Sequence, residues 1–401
     1  MIIKNIFKGI FDYIRKSDWV LWLLTLTISG YCLLLLNSVS TQTGAGWDRS
    51  QMTAIILGLI GAVILSLMDY SGIASFWYLI AGFCIFLMIY TIITADAVVG
   101  AGGVNAKAWI NIGGRTFQSS ELVKIGFLLT FSKHLDVVKK KGMIDDFLQV
   151  VLLLIHALIP FLLCHYQGDD GAGIVFFVMF LAMSFAAGIK LRYFALLLGL
   201  LLLALPILWN FVLADYQKLR FTAVMNLDDP SVMNNEGYQQ FNARISIGSG
   251  QFTGHGLGGG RRVASQAVTF QHSDFIFSVA GEELGFVGCV GIIILLLLLM
   301  LKTLHIARHS RDELGKYICF GYFGLIAIQS IGNIGMCLAV LPVMGVTLPF
   351  FSSGGSSAMC LYFGIGLLQS IYIRRQESDG MHLSRNSPMR LNYKLMNNLP
   401  K

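Results

Sequence analysis

Phe275-Ile-Phe-Ser-Val-Ala-Gly-Glu-Glu-Leu-Gly-Phe-Val-Gly-Cys-Val-Gly-Ile-Ile-Ile-Leu-Leu-Leu-Leu-Leu-Met-Leu301 decides the fold of this chain. As a helix this stretch is long enough to cross a hydrocarbon core of roughly 30 Å. Its only charges are Glu282 and Glu283, and Trp19–Ser38 carries none. Working outward, comparable spans fall near 19–40, 52–68, 73–93, 118–137, 147–164, 172–188, 193–213, 275–301, 316–340 and 348–373. The fourth is the least apolar, since it holds Glu121, Lys124 and Lys133. The 401 residues are 55% hydrophobic and 13% charged, with a mean hydropathy of +0.69. A soluble domain carries about a quarter charged residues, and surface scaling does not let a soluble chain of this length bury so many apolar segments. The expected fold is all-α: a polytopic membrane helix bundle of about ten transmembrane helices, with a large extracytoplasmic loop between spans seven and eight.

The net charge of +7 does not indicate a nucleic-acid partner, because the basic residues cluster at span ends. With the N-terminus inside, the cytoplasmic loops collect Lys139, Lys140, Lys141, Lys190, Arg192, Lys302, Arg308, Arg311 and Lys316, while the short outer loops hold only Arg49, Lys107 and Arg115. Both termini are therefore expected in the cytoplasm. Residues 1–18 read as an amphipathic segment lying on the membrane, not as a cleaved signal peptide. Residues 19–375 read as a single membrane domain whose large outer loop is 214–273, and 376–401 as a loose cytoplasmic tail. The seven cysteines lie in or beside apolar segments with no CxxC pair, so they read as core residues.

Four constellations can carry chemistry. An ionisable residue at membrane depth is costly and is a functional hypothesis by default. In Gln118-Ser-Ser-Glu-Leu-Val-Lys124, Glu121 and Lys124 share a helix face and can pair, as a structural lock or as part of a site. In Gln167-Gly-Asp-Asp-Gly171, Asp169 or Asp170 can bind a cation or simply cap the following helix. The third constellation runs from Arg244 and Ser249 through a glycine-rich stretch to Asp274, Glu282 and Glu283. Residues Gly254–Gly259 match GxGxxG, but no strand precedes them and no Rossmann unit surrounds them, so the match reads as chance. Asp274 at the outer mouth of the bundle is placed for proton abstraction or for helix capping. The fourth is Leu341–Pro349 with Ser352–Ser357, where prolines and glycines imply a broken helix that lines a cavity or packs within the protein. There is no HExxH signature and no nucleophile elbow.

In combination these blocks resemble the SEDS family (shape, elongation, division and sporulation), the RodA/FtsW/SpoVE-like membrane proteins. The blocks are Trp109-Ile with Gln118-x-x-Glu-x-x-Lys124; Gln167-x-Asp169-x-Gly171; Ile247-Gly-Ser-Gly250 with Ser273-Asp-Phe-Ile-Phe277 and Glu282-Glu-Leu-Gly285; and Asn333-Ile-Gly-Met336 through Pro342, Gly345 and Pro349 to Ser357. They occur in the family's order across nearly the whole chain. Departures from the pattern are Ser119 in place of proline, Gly168, Asp170 and Ala172 around Asp169, Asn242 and Ala243 in place of Gln-Ser, and Ser353 in place of tyrosine.

The resemblance implies a peptidoglycan glycosyltransferase that polymerises lipid II at the outer membrane face beside a class B penicillin-binding protein. It assigns the general base to Asp274. Trp109, Glu121, Lys124, Asp169, Arg244, Ser249, Glu282 and Ser356 are the expected substrate-binding residues. Lys124, Arg244, Arg261 and Arg262 are candidates to meet the pyrophosphate charge, as is a divalent cation (Mg2+ or Mn2+) held near Asp274 and Asp169. Trp109 and Pro342–Pro349 are expected to border a groove for the polyprenyl tail. Lys107-Ala-Trp109 and the short N-terminus lean toward an elongation role. The competing classes are a lipid II flippase or transporter, which needs polar residues across the whole bundle, and a non-catalytic scaffold for the transpeptidase.

Overall fold

A computed structural model describes residues 13–95, 98–99, 105–113, 115–227, 229–233, 235 and 237–385. The long helices are α1 (Trp19–Thr43), α2 (Trp47–Leu67), α3 (Trp77–Thr94), α4 (Ser119–Lys140), α5 (Phe147–Gln167), α6 (Asp170–Ala187) and α7 (Leu191–Ile207). They continue as α8 (Tyr238–Ser249), α9 (Ile276–Arg308), α10 (Glu313–Cys337) and α11 (Gly355–Arg385). A hairpin of β1 (Trp109–Ile112) and β2 (Arg115–Gln118) leads into α4. Among the described residues, nine helices are long and apolar enough to cross a membrane. They correspond to nine of the ten expected spans. The tenth, α4, is excluded by its charges yet is 22 residues long, and 16 of those residues are buried. It is the inner helix of the bundle, packed by α3, α5, α6, α10 and α11. Most of its polar groups, Glu121 and Lys124 among them, are buried within the bundle and find partners there.

Several span ends follow from side-chain chemistry. Asp18, Asp146, Asp169 and Asp312 each accept a backbone N–H in the first turn of α1, α5, α6 and α10, satisfying donors that helix geometry leaves orphaned. Helix α11 begins at Gly355, seven residues later than the span expected from 348, because Leu338–Gly354 is irregular backbone. The broken segment expected around Pro342–Pro349 is thus present. At the other end α11 runs on to Arg385, past the boundary at 375. The segment read as an interfacial helix lies mostly outside the described residues, although 13–16 are helical. Helix α7 buries none of its residues.

Helix α9 is two helices. At Gly285 the backbone leaves the helical region (φ 66°, ψ −159°). The loop between α8 and α9 enters the break as a wedge of tight turns. The N–H groups of His255 and Gly256 donate to the carbonyls of Glu282 and Glu283 at 3.1 and 2.8 Å, and those of Phe286 and Val287 donate to Gln251 and Phe252 at 2.8 and 3.2 Å. These four bonds give partners to backbone groups at the break, as low-dielectric burial requires. The approach is so close that a Cβ on Gly254 would stand 2.2 Å from the Glu283 carbonyl oxygen. The GxGxxG match therefore has a packing reason rather than a nucleotide.

All seven cysteines are free and buried, as expected. His305 and His309 do form an i,i+4 pair, missed in the sequence reading, with ring centroids 4.4 Å apart and planes tilted by 41° in the last turn of α9. Among the described residues they belong to no group of three or more metal-ligating side chains.

Candidate active site

Asp274 sits half-buried just before α9. It does not cap that helix, whose N-cap is Phe275 with no side-chain capping bond. Instead its backbone is clamped: Asn333 Nδ2 of α10 donates to the Asp274 carbonyl and to that of Val346, each at 2.7 Å. One residue earlier, Ser352 Oγ donates to the Ser273 carbonyl at 2.7 Å while accepting from the Leu348 N–H. The irregular segment between α10 and α11 thus works as a bracket for Asp274. Burial is the main influence on its carboxyl, a bond from Ser273 opposes it, and the negative Asp169 adds to it; the result is pushed up to about 6.

His272 stacks flat on Trp47, with ring centroids 3.8 Å apart and planes 6° apart. Burial pushes its pKa down to about 4. The ring is neutral at ordinary pH and is a wall of the site, not a cation.

Asp169 faces Asp274 from the start of α6. Its Oδ1 accepts the Ala172 N–H at 3.1 Å, and its Oδ2 accepts Gln118 Nε2 at 2.7 Å and Ser120 Oγ at 3.4 Å. Capping and site-building coexist here. Gly171 lets the start of α6 touch the bracket, since a Cβ there would lie 2.2 Å from the Met344 carbonyl oxygen. Gln118 is paired in register with Trp109, and its N–H donates to Ser356 Oγ at 3.2 Å. Glu121 and Lys124 form the expected pair at 2.8 Å with both side chains nearly fully buried; both influence Asp169 electrostatically. Trp109, Glu121, Lys124, Asp169, Asp274 and Ser356 are therefore brought to one corner of the bundle.

Glu282, Ser249 and Arg244 belong to a second group around the break in α9. Glu282 is buried, and its Oε1 accepts the Arg262 N–H at 2.7 Å. The Arg262 guanidinium is held by Ser246 Oγ at 3.0 Å and Asn242 Oδ1 at 2.5 Å. Ser249 Oγ turns back to the Ser246 carbonyl, and Arg244 is exposed. Glu283 is bound through Oε1 by Ser38 and Gln42 at 2.7 and 2.6 Å. These acids stabilise the wedge.

The two carboxylates expected to share a divalent cation do not make a protein-built metal site. Asp169 already accepts three hydrogen bonds, and among the described residues no third acidic, histidine or cysteine ligand joins the pair. Mg2+ is usually held by one or two carboxylates together with waters and substrate phosphates, so these two side chains would hold such an ion only with the substrate's pyrophosphate in place. No metal ion enters the chemistry derived from these residues.

The sequence reading missed the short helix Asp215–Met225, which leans on this corner. Gln217 Nε2 donates to Asp170 Oδ2 at 2.6 Å, and His165 holds Asp170 Oδ1 at 2.7 Å. Arg220 lies over the Tyr216 ring, 5.5 Å from its centroid, with its Nε buried and without a hydrogen-bond partner. Burial holds its pKa below the usual arginine range, countered by Tyr216 and Asp170. The Tyr216–Arg220 pair follows i,i+4 spacing, but no spacing rule points to the Gln217–Asp170 contact, which joins segments 47 residues apart.

The sequence model of the FtsW/RodA/SpoVE family, described as a cell cycle protein, matches residues 16–377. The chain is 30% identical over 383 residues to a probable peptidoglycan glycosyltransferase FtsW of Geobacter metallireducens, covering 92% of this chain and 98% of that one. It is 31% identical over 373 residues to the peptidoglycan glycosyltransferase MrdB of Escherichia coli K12, covering 92% and 96%. Among solved structures it is similar to a chain of a peptidoglycan synthase complex that coordinates polymerization and crosslinking, with a TM-score of 0.74, 27% identity and coverage of 90% and 98%. It is also similar to the rod shape determining protein RodA of Thermus thermophilus, with a TM-score of 0.66, 27% identity and coverage of 90% and 97%.

Proposed function

The chain belongs to the FtsW/RodA/SpoVE family and is a membrane-embedded peptidoglycan glycosyltransferase; from that premise we propose that it polymerises lipid II at the outer face of the cytoplasmic membrane, with Asp274 as general base. The observation that carries the assignment is the clamped backbone of Asp274, whose carboxyl caps no helix and is met by Ser273. The carboxylate takes the proton of the acceptor sugar hydroxyl. The hydroxyl oxygen then bonds to the anomeric carbon of the donor, and the bond from that carbon to the lipid pyrophosphate breaks. A base held in place typically contributes about 10²–10⁴-fold.

The departing pyrophosphate needs preorganised positive charge. Lys124 is committed to Glu121, and Arg262 to Asn242 and Ser246. Arg220 is partly desolvated, has an unpartnered Nε and stands beside the Asp169–Asp170 corner. Its planar fork suits a phosphate better than a lysine would. We assign the leaving group to Arg220. A class B penicillin-binding protein crosslinks the product, and the likeness to rod-shape proteins favours a role in elongation.

The test is polymerisation of labelled lipid II by the purified protein with a class B partner, comparing wild type with Asp274→Asn. Polymer from wild type and none from the folded variant supports the assignment. Equal polymer from both removes Asp274 as base. No polymer from either, across several partners, removes the proposed reaction.

A further inference from the structure

Helix α9 starts at the Asp274 corner and ends at the opposite membrane edge, packed against α1 and α11. A knot of polar side chains fastens the three helices there. Lys302 Nζ of α9 lies 2.6 Å from Asp18 Oδ2, and Asp18 is buried just before α1. Gln369 of α11 accepts the Asp18 N–H at 2.9 Å and donates to the Asp18 carbonyl at 2.8 Å. The Tyr372 ring of α11 carries two cations, Arg375 at 4.4 Å and Lys302 at 5.6 Å from its centroid. Exposed His305 and His309 stand beside this knot, and His309 Nδ1 donates to the His305 carbonyl at 2.8 Å. The charges that act on His305 are those of Lys302, His309, Arg375 and Asp18. Three of these groups are basic, and the one acid is already taken by Lys302. The exposed Arg308 in the same last turn adds another cation. The knot thus carries more positive charge than its own acid neutralises. Toward the membrane middle the same face of α9 is bare hydrocarbon. Ile294, Leu298, Leu301 and His305 succeed one another at helical spacings of four, three and four residues, which puts them on one face. All four are exposed. Trp19 at the start of α1 is exposed too, and an indole is favoured at the membrane boundary.

We propose that this edge is a seat for an anionic phospholipid, with its headgroup phosphate at Lys302, His305, His309 and Arg375 and an acyl chain along Ile294, Leu298 and Leu301. Charge selects an acidic lipid, because a zwitterionic one brings its own cation and leaves the excess of the knot unneutralised. The bare strip selects a lipid over a soluble anion, because it meets a chain joined to the phosphate. Basic residues at a span end are enough to orient a helix. They do not by themselves put two histidines and an arginine at the end of one exposed apolar strip. Basic pockets between helix ends suit acidic headgroups, and the planar guanidinium of Arg375 suits a phosphate. The proposal is independent of the polymerase reading, since none of these residues lies at the Asp274 corner.

The test titrates the full-length protein in detergent with dioleoyl phosphatidylglycerol or dioleoyl phosphatidylcholine and counts bound lipid by intact mass spectrometry. Wild type is expected to retain phosphatidylglycerol at a lower concentration than phosphatidylcholine. Arg375→Gln is expected to weaken phosphatidylglycerol about fivefold, the worth of one basic charge at an acidic lipid, and to leave phosphatidylcholine unchanged. Lys141→Gln removes a charge from the end of α4, at the same membrane edge but outside the knot, and is expected to change neither. Equal retention of the two lipids by wild type overturns the seat. So does equal weakening by Lys141→Gln, which would mean a diffuse attraction to the whole basic edge. Should Arg375→Gln lower the folded yield, the exposed His305 carries the test. His305→Glu places an acid at the headgroup and is expected to cut phosphatidylglycerol retention by about fivefold or more; unchanged retention overturns the proposal. Displacement of the lipid by inorganic phosphate, beyond that by chloride at equal ionic strength, would make the ligand a soluble anion and also overturns it.

Discussion

The carboxyl of Asp274 makes a pH dependence with a definite sign. The proposed base must be ionised to take a proton, and burial pushes its carboxyl up to about 6. Polymerisation is expected to fall as pH drops through about 6, measured as initial rate from pH 5 to 8. The linkage runs the other way for stability. A raised carboxyl contributes fully below its unfolded value near 3.9, and the contribution is lost as pH rises through about 6. Asp274→Asn should therefore melt higher than wild type at pH 7.5 while making no polymer; a lower Tm would contradict the burial argument. The Glu121–Lys124 pair gives a second test. Removing one partner of a buried pair costs about 3–5 kcal/mol, whereas replacing both is near neutral. Lys124→Ala should lose folded yield, and Glu121→Gln with Lys124→Met should recover it, read by size-exclusion profile. This pair was legible in the sequence because i,i+3 spacing dictates a shared face. The Gln217–Asp170 contact was not legible, because it joins distant segments, and with it the place of Arg220 beside Asp170 was hidden.

Among the elements, the two halves of α9 show where pattern reading fails. A largely apolar stretch of 27 residues announces a span, but nothing in hydropathy announces the break at Gly285. The signal was present as the glycines at 250 and 254, where the outer loop crosses helix backbone with no room for a side chain. At Gly254 the backbone also holds φ +74°, a region costly for other residues. Gly254→Ala is expected to destabilise by about 1–3 kcal/mol, seen as a lower Tm in detergent, whereas Gly258→Ala, with the same sign of φ but open space, should lose less. Equal losses would mean that the wedge is not tightly seated. The late start of α11 has a related cause: apolar content extends back to 348, but Ser352 and the Asn333 bracket hold that segment off the helical path.

For the molecule as a whole, the number of spans was legible and the inner helix was not an error of pattern. The fourth segment reads as weak because it carries the Glu121–Lys124 pair, whose charges are satisfied inside the bundle rather than by water. Orientation rests on the basic loops. A fluorescent-protein fusion after Lys141 should glow, and an alkaline phosphatase fusion in the loop after Asp215 should be active; the reverse pattern would turn the molecule over and remove Asp274 from the outer face.

The concealment of every thiol has a practical corollary. Since all seven sulfhydryls lie inside the protein, a single cysteine introduced at Lys107 or Lys218 would be the only one that a water-soluble maleimide reaches quickly. Fluorophores or spin labels can be placed above the catalytic corner of the wild-type sequence, with no native residue removed to silence the background.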